Sequence, residues 1–165
     1  MAERAFYWLA NASYRRRQWV QLLVLGAIFT LLGGFGAFAR FGTQMLGEYY
    51  LLTGETAPQT LDGQRALRQA AALRPDWVRP HLSLAQAFYS DDWYEGAIRE
   101  ANRAFELSSD PIEKSFAISI VGFGHMGAGR NAEALDALKL AVELDPNNAK
   151  AQTALEQLQQ KEPAE

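Results

Sequence analysis

Apolar and polar positions divide the chain into three stretches with different periods. Residues 1–18 mix aromatic and basic side chains, including Phe6, Tyr7, Trp8 and the cluster Arg15, Arg16, Arg17. Residues 19–39 read WVQLLVLGAIFTLLGGFGAFA and carry no formal charge. The remainder is charged and rich in Ala and Leu, with apolar residues at three- and four-residue spacing and Pro or Gly at the joints. That spacing is the mark of short amphipathic helices, so the fold class is all-α.

The uncharged stretch has the length of a membrane span. At about 1.5 Å per residue it covers about 30 Å, the thickness of a hydrocarbon core. A transmembrane helix is expected over residues 19–41, preceded by an interfacial segment at 1–18. The apolar core exceeds the roughly 7–15 residues of a signal peptide, although Ala37-Phe38-Ala39 has a small-x-small form and Arg16-Arg17 a faint twin-arginine form. Arg4, Arg15, Arg16 and Arg17 precede the run, whereas Arg40 alone follows it before Arg65. The positive-inside rule then places the N-terminus in the cytoplasm and the C-terminal part on the periplasmic or lumenal side of an inner or thylakoid-like membrane. Within the run, Gly26, Thr30 and Gly34 recur at four-residue spacing and Gly33 pairs with Ala37, a small-residue face suited to another helix. The arginines of 1–18 suit anionic headgroups; a contact with a neighbouring subunit fits the same residues.

Downstream, two segments superpose. One starts at Val78 and reads VRPHLSLAQAFYSDDWYEGAIREANRAFELSSD. The other starts at Ser115 and reads SFAISIVGFGHMGAGRNAEALDALKLAVELDPNN. Ala97 matches Ala134, Ala104 matches Ala141 and Leu107 matches Leu144, each pair 37 residues apart. A period of about 34 with three inserted residues, Ile112–Lys114, accounts for the offset. Leu84-Ala85 and Val121-Gly122 each place a large residue before a small one, which lets two helices cross closely.

This pattern resembles the tetratricopeptide repeat, a helix–turn–helix unit, over Val78–Asn148. Ser109 departs from it where a proline usually ends the second helix, as do His81 and His125 at large apolar positions. The resemblance implies a short α-solenoid of two to three helical hairpins plus a capping helix. The domains expected are a connector or degenerate first helix at 42–61, a partial repeat at 62–77, full repeats at 78–111 and 115–148, and a capping helix and tail at 149–165. It also implies that the first helix of each repeat lines a concave groove, here Arg79, Leu82, Gln86 and Tyr89, then Phe116, Ser119, Phe123 and Met126. The lysine–asparagine clamp with which some family members grip a peptide carboxylate is absent at these positions. The second set is largely apolar and suits an apolar or aromatic peptide or a partner helix. Coverage of Phe116 and Phe123 by the chain's own helices is the alternative.

Composition narrows the function further. The net charge is −3 and there is no cysteine. No basic stripe exists for nucleic acid, and thiolate catalysis, disulfides and cysteine metal sites are excluded. His81 and His125 are the only histidines and stand apart. Asp91-Asp92 falls in a turn between helices, where Asp serves turn chemistry. Gly122, Gly124, Gly127 and Gly129 lack the strand and the Lys-Ser/Thr of a phosphate loop and read as packing and turn glycines. No catalytic residue, metal or cofactor is expected. The reading is a membrane-anchored scaffold or assembly adaptor whose partners are proteins of a membrane complex and the lipid bilayer. A permanent accessory subunit of a respiratory or photosynthetic complex is the alternative, with a membrane-surface enzyme as the rival of another class.

Overall fold

A computed structural model describes residues 35–161, and every regular element among them is an α-helix. The chain divides into two compact units, Met1–Thr43 and Gln44–Glu165. Of the first, residues 35–43 are described, and they are helical; the Thr43 hydroxyl donates to the Arg40 carbonyl at 2.9 Å. The segment 1–18, most of the expected membrane span and the packing-face residues Gly26, Thr30, Gly33 and Gly34 lie outside the described residues. Ala37, the fifth of that face, is exposed. Among the described residues no helix is long and apolar enough to cross a membrane.

The helices, in order, are α1 (Phe35–Thr56), α2 (Leu61–Leu73), α3 (Val78–Ser90), α4 (Tyr94–Leu107), α5 (Pro111–Gly127), α6 (Asn131–Leu144) and α7 (Ala149–Lys161). Local chemistry sets several starts. Thr60 caps α2 by accepting from the Gly63 amide at 3.0 Å. Asp110 caps α5 by accepting from the Ile112 amide at 3.0 Å, and Pro111 takes the first helical position. Ile112–Lys114, read from the sequence as an insertion, therefore form the first turn of α5. A cap followed by proline starts a helix as soon as it occurs, whatever the repeat period asks for.

Backbone bonds make the repetition explicit. In the α3–α4 turn, the Trp93 amide donates to the Phe88 carbonyl at 2.8 Å; in the α5–α6 turn, Arg130 donates to His125 at 2.9 Å. These six-to-one bonds close the turn around a left-handed residue. That residue is Asp92 in one copy (φ 57°) and Gly129 in the other (φ 76°). The second helices end alike: amides of Arg74, Ser108 and Asp145 donate to Ala70, Ala104 and Ala141, at 2.9, 3.0 and 3.0 Å. Thus α2, α4 and α6 are equivalent, and α1 serves as the helix that precedes α2.

Packing runs along the stack. Leu51 and Leu67 begin the core, Leu84, Ala85, Phe88 and Ala97 continue it, and Val121, Ala134, Leu138, Ala141, Ala151 and Leu158 complete it. Alanines at the crossings keep helix axes close while the large residues fill between them. Each fully buried Leu or Phe contributes roughly 1.5–3 kcal/mol. The expected all-α solenoid is the fold found.

Candidate protein-binding groove

Three helices form the walls of a cleft of about 650 Å³. Its floor comes from α5, with Phe116, Ile120, Phe123 and Met126. One wall is α3, with Gln86 and Tyr89; the other is α7, with Lys150, Thr153, Ala154 and Gln157. The volume lies within the roughly 300–1,000 Å³ of small-ligand sites, and the cleft is apolar below with a polar rim. Among the described residues, Lys150 is the one charged residue in the lining. The Tyr89 and Phe123 rings lie 6.1 Å apart and tilted, which fixes the mouth between α3 and α5.

Five of the eight residues expected along the groove meet in this cleft: Gln86, Tyr89, Phe116, Phe123 and Met126. Phe116 and Phe123 are half-buried; they pack on the core and still present a face to the cleft. Arg79 does not line it. Its guanidinium binds the Glu55 carboxylate of α1 at 2.8 Å, and Ser83 donates to the same carboxylate at 3.3 Å. Leu82 is half-buried outside the lining. Ser119 is buried, its hydroxyl donating to the Phe116 carbonyl at 2.7 Å, and Ile120 takes its place in the floor. A hydroxyl bonded back to its own helix can sit among apolar neighbours without an unmet partner.

The α7 wall goes beyond the capping helix that the sequence predicts. A third repeat start, 34 residues after Ser115, falls at Ala149. The same four groove positions counted from there are Lys150, Thr153, Gln157 and Gln160, of which the first three line the cleft. Asn148 holds this wall in place. Its side-chain oxygen accepts from the Ala151 amide at 3.1 Å, and its amide donates to the buried Ser115 hydroxyl at 3.0 Å. Ser115 in turn donates to the Ala141 carbonyl at 2.7 Å. Asn148→Ala removes the cap and the tie to α5, and should cost about 1–2 kcal/mol. Faster amide exchange confined to α7 is the expected signature, with α3–α5 protected as before. Unchanged exchange in α7 would show that packing alone holds it.

Both histidines and several carboxylates are tied into hydrogen bonds. His81 Nδ1 lies 2.9 Å from Glu100 Oε2, joining α3 to α4. His125 Nδ1 accepts from Arg130 Nε at 3.0 Å, and Arg130 Nη1 donates to Glu95 at 2.6 Å. Burial, helped by the Arg130 charge, holds the His125 imidazole below the usual histidine range. The Arg130 bond holds the Glu95 carboxyl below the usual carboxylate range. Asp91 accepts from Gln64 Nε2 at 2.8 Å and Asp92 from the Tyr94 hydroxyl at 2.7 Å. Among the described residues no three His, Asp or Glu side chains converge to hold a metal.

No family model matches the chain, and no curated protein matches it in sequence. Solved structures do. The tetratricopeptide-repeat domain of Arabidopsis OM64 superposes with a TM-score of 0.66 at 19% identity, over 73% of this chain and 99% of that one. The first such domain of Spaghetti (RPAP3), bound to the HSP90 peptide SRMEEVD, gives 0.61 at 18%, over 72% and 91%. The Yersinia enterocolitica type III secretion translocator chaperone SycD gives 0.62 at 17%, over 74% and 95%. The fold is a tetratricopeptide-repeat solenoid.

Proposed function

We propose that this chain is a membrane-anchored adaptor that holds a partner protein in the cleft between α3, α5 and α7. The observation that carries the reading is the cleft itself: first helices of successive repeats converge on one apolar floor. The uncharged run at 19–39 supports anchoring, since a stretch of that length suits a bilayer. The partner segment is apolar or aromatic, because Phe116, Ile120, Phe123 and Met126 make the floor and one cation stands at the rim. The HSP90 peptide on RPAP3 ends in acidic residues. The lysine–asparagine clamp is absent here, so SRMEEVD should bind this groove weakly or not at all.

Affinity capture of the full chain in mild detergent, with subunit ratios from mass spectrometry, tests the reading. Thr153→Arg fills the cleft from an exposed position and spares the core. Partner recovery should fall at least about tenfold, a loss of about 1.4 kcal/mol or more. Phe116→Ser with Phe123→Ser should act in the same direction, and circular dichroism checks that the helices persist. Partners recovered in fixed ratio despite both changes would overturn groove binding and mark a built-in subunit docked elsewhere.

A further inference from the structure

α4 and α5 meet closely at two glycines. A methyl on Gly124 would stand 2.7 Å from Ile98 Cγ1, and the Tyr94 ring leaves no room for one on Gly127. His125 lies between these glycines on α5 and is half-buried. Arg130, which precedes α6, links it to α4. Its Nε donates to His125 Nδ1 at 3.0 Å, and its Nη1 donates to Glu95 Oε1 at 2.6 Å. The cleft is next to this cluster. Met126 of its floor follows His125, and the ring of Tyr94, which precedes Glu95, lies 6.0 Å from that of Tyr89 in its wall.

The donor fixes the state of the imidazole. A guanidinium carries only N–H donors and keeps its charge, so Nδ1 must offer a lone pair. That requires a neutral ring with its proton on Nε2. A second proton, on Nδ1, would set N–H against N–H and cation against cation across the same 3.0 Å. We propose that His125, Arg130 and Glu95 form a proton-released latch that ties α4 to the α5–α6 turn. When the ring takes up a proton, Arg130 leaves it, and the link from the turn to Glu95 loses its fixed geometry. His81 behaves in the opposite way. Its Nδ1 faces the Glu100 carboxylate, an acceptor, so a proton on that ring keeps the bond.

The surrounding groups set where the latch opens. Burial lowers the proton affinity of His125 most and the Arg130 charge lowers it next, while Glu133 of α6 and Glu95 of α4 oppose them. The Tyr94 hydroxyl of α4 is bonded to Asp92 of the preceding turn. The balance leaves His125 below the ordinary histidine value of about 6.5. Between the two values the native chain binds fewer protons than the unfolded one. The stability contributed by the neutral ring is therefore complete above about pH 6.5 and is lost as pH falls through the lowered native value.

Nuclear magnetic resonance of the full chain in mild detergent, with labelled histidine and arginine side chains, tests the latch. The chain has two histidines, and His81→Gln assigns their ring signals. Above neutrality the Arg130 Nε shift should be that of a bonded donor, moving to the free value on acidification with the midpoint of the His125 ring. Arg130→Ala should raise the His125 midpoint by about half a pH unit or more, the equivalent of one lost hydrogen bond, and leave the His81 signal unmoved. Circular dichroism checks that the helices persist in this variant. An Arg130 shift that ignores the His125 titration would overturn the latch. So would a His125 midpoint that Arg130→Ala leaves in place. A midpoint that moves while Arg130 Nε shows the free shift at every pH would leave charge acting without a bond, and would overturn it as well.

Discussion

Phe88→Ala is expected to lower the unfolding free energy by about 3–5 kcal/mol, a large part of the roughly 5–15 kcal/mol available to a domain. Phe88 is 2% exposed. Its ring meets Trp93 edge-to-face at 4.4 Å, and the Arg68 guanidinium lies 5.5 Å from its centroid. Truncation would open a cavity between α2, α3 and α4 that helices pinned by the Trp93–Phe88 backbone bond cannot easily close. The consequence reaches the groove, because Gln86 and Tyr89 flank Phe88 on α3 and form one wall. Urea unfolding followed by circular dichroism should show the midpoint shift, with partner capture lost in parallel. A cost below about 1 kcal/mol would mean that α3 contributes little to the cooperative unit.

Gly122→Val should cost about 2–3 kcal/mol through overpacking. A methyl at this position would stand 2.7 Å from Leu138 Cγ and 2.9 Å from Cδ2, where α5 crosses α6. Replacing glycine within a helix recovers up to about 1 kcal/mol of propensity, less for a β-branched residue, so the clash decides the sign. The cause can be isolated. Leu138→Ala alone should cost about 2–5 kcal/mol, since Leu138 is fully buried. In the Gly122→Val background it should cost at least about 1 kcal/mol less, because the two residues contend for one space. Additive costs would show that the strain lies elsewhere than at this crossing.

Much of this was open to a reading of the residues. Val121-Gly122 marks a close crossing in the sequence, and Leu138 is the residue that uses it. The 37-residue offset reappears as Asp92 and Gly129, the left-handed residues of two equivalent turns. The tetratricopeptide resemblance implied Phe116, Phe123 and Met126 of α5 as groove positions, and these three line the cleft. Lys150, Thr153 and Gln157 are equally regular, but a polar helix after the last full repeat has the pattern of a solvated cap. The histidines stood alone in sequence, yet Glu100 and Arg130 meet them across a hairpin and a turn.

Residue spacing establishes that the chain is all-α, where the repeats recur and which helix faces are apolar. Those properties follow from short-range spacing, since three- and four-residue intervals fix a helix face wherever the helix ends up. Which faces meet depends on long-range packing. It set Ile120 rather than Ser119 in the cleft floor, made α7 a wall, and left Met45, Tyr49 and Leu52 exposed among the described residues. Two apolar sides of α1 look alike in a period of 3.6; the close approach of Gly54 to Leu67 chose the one that is covered.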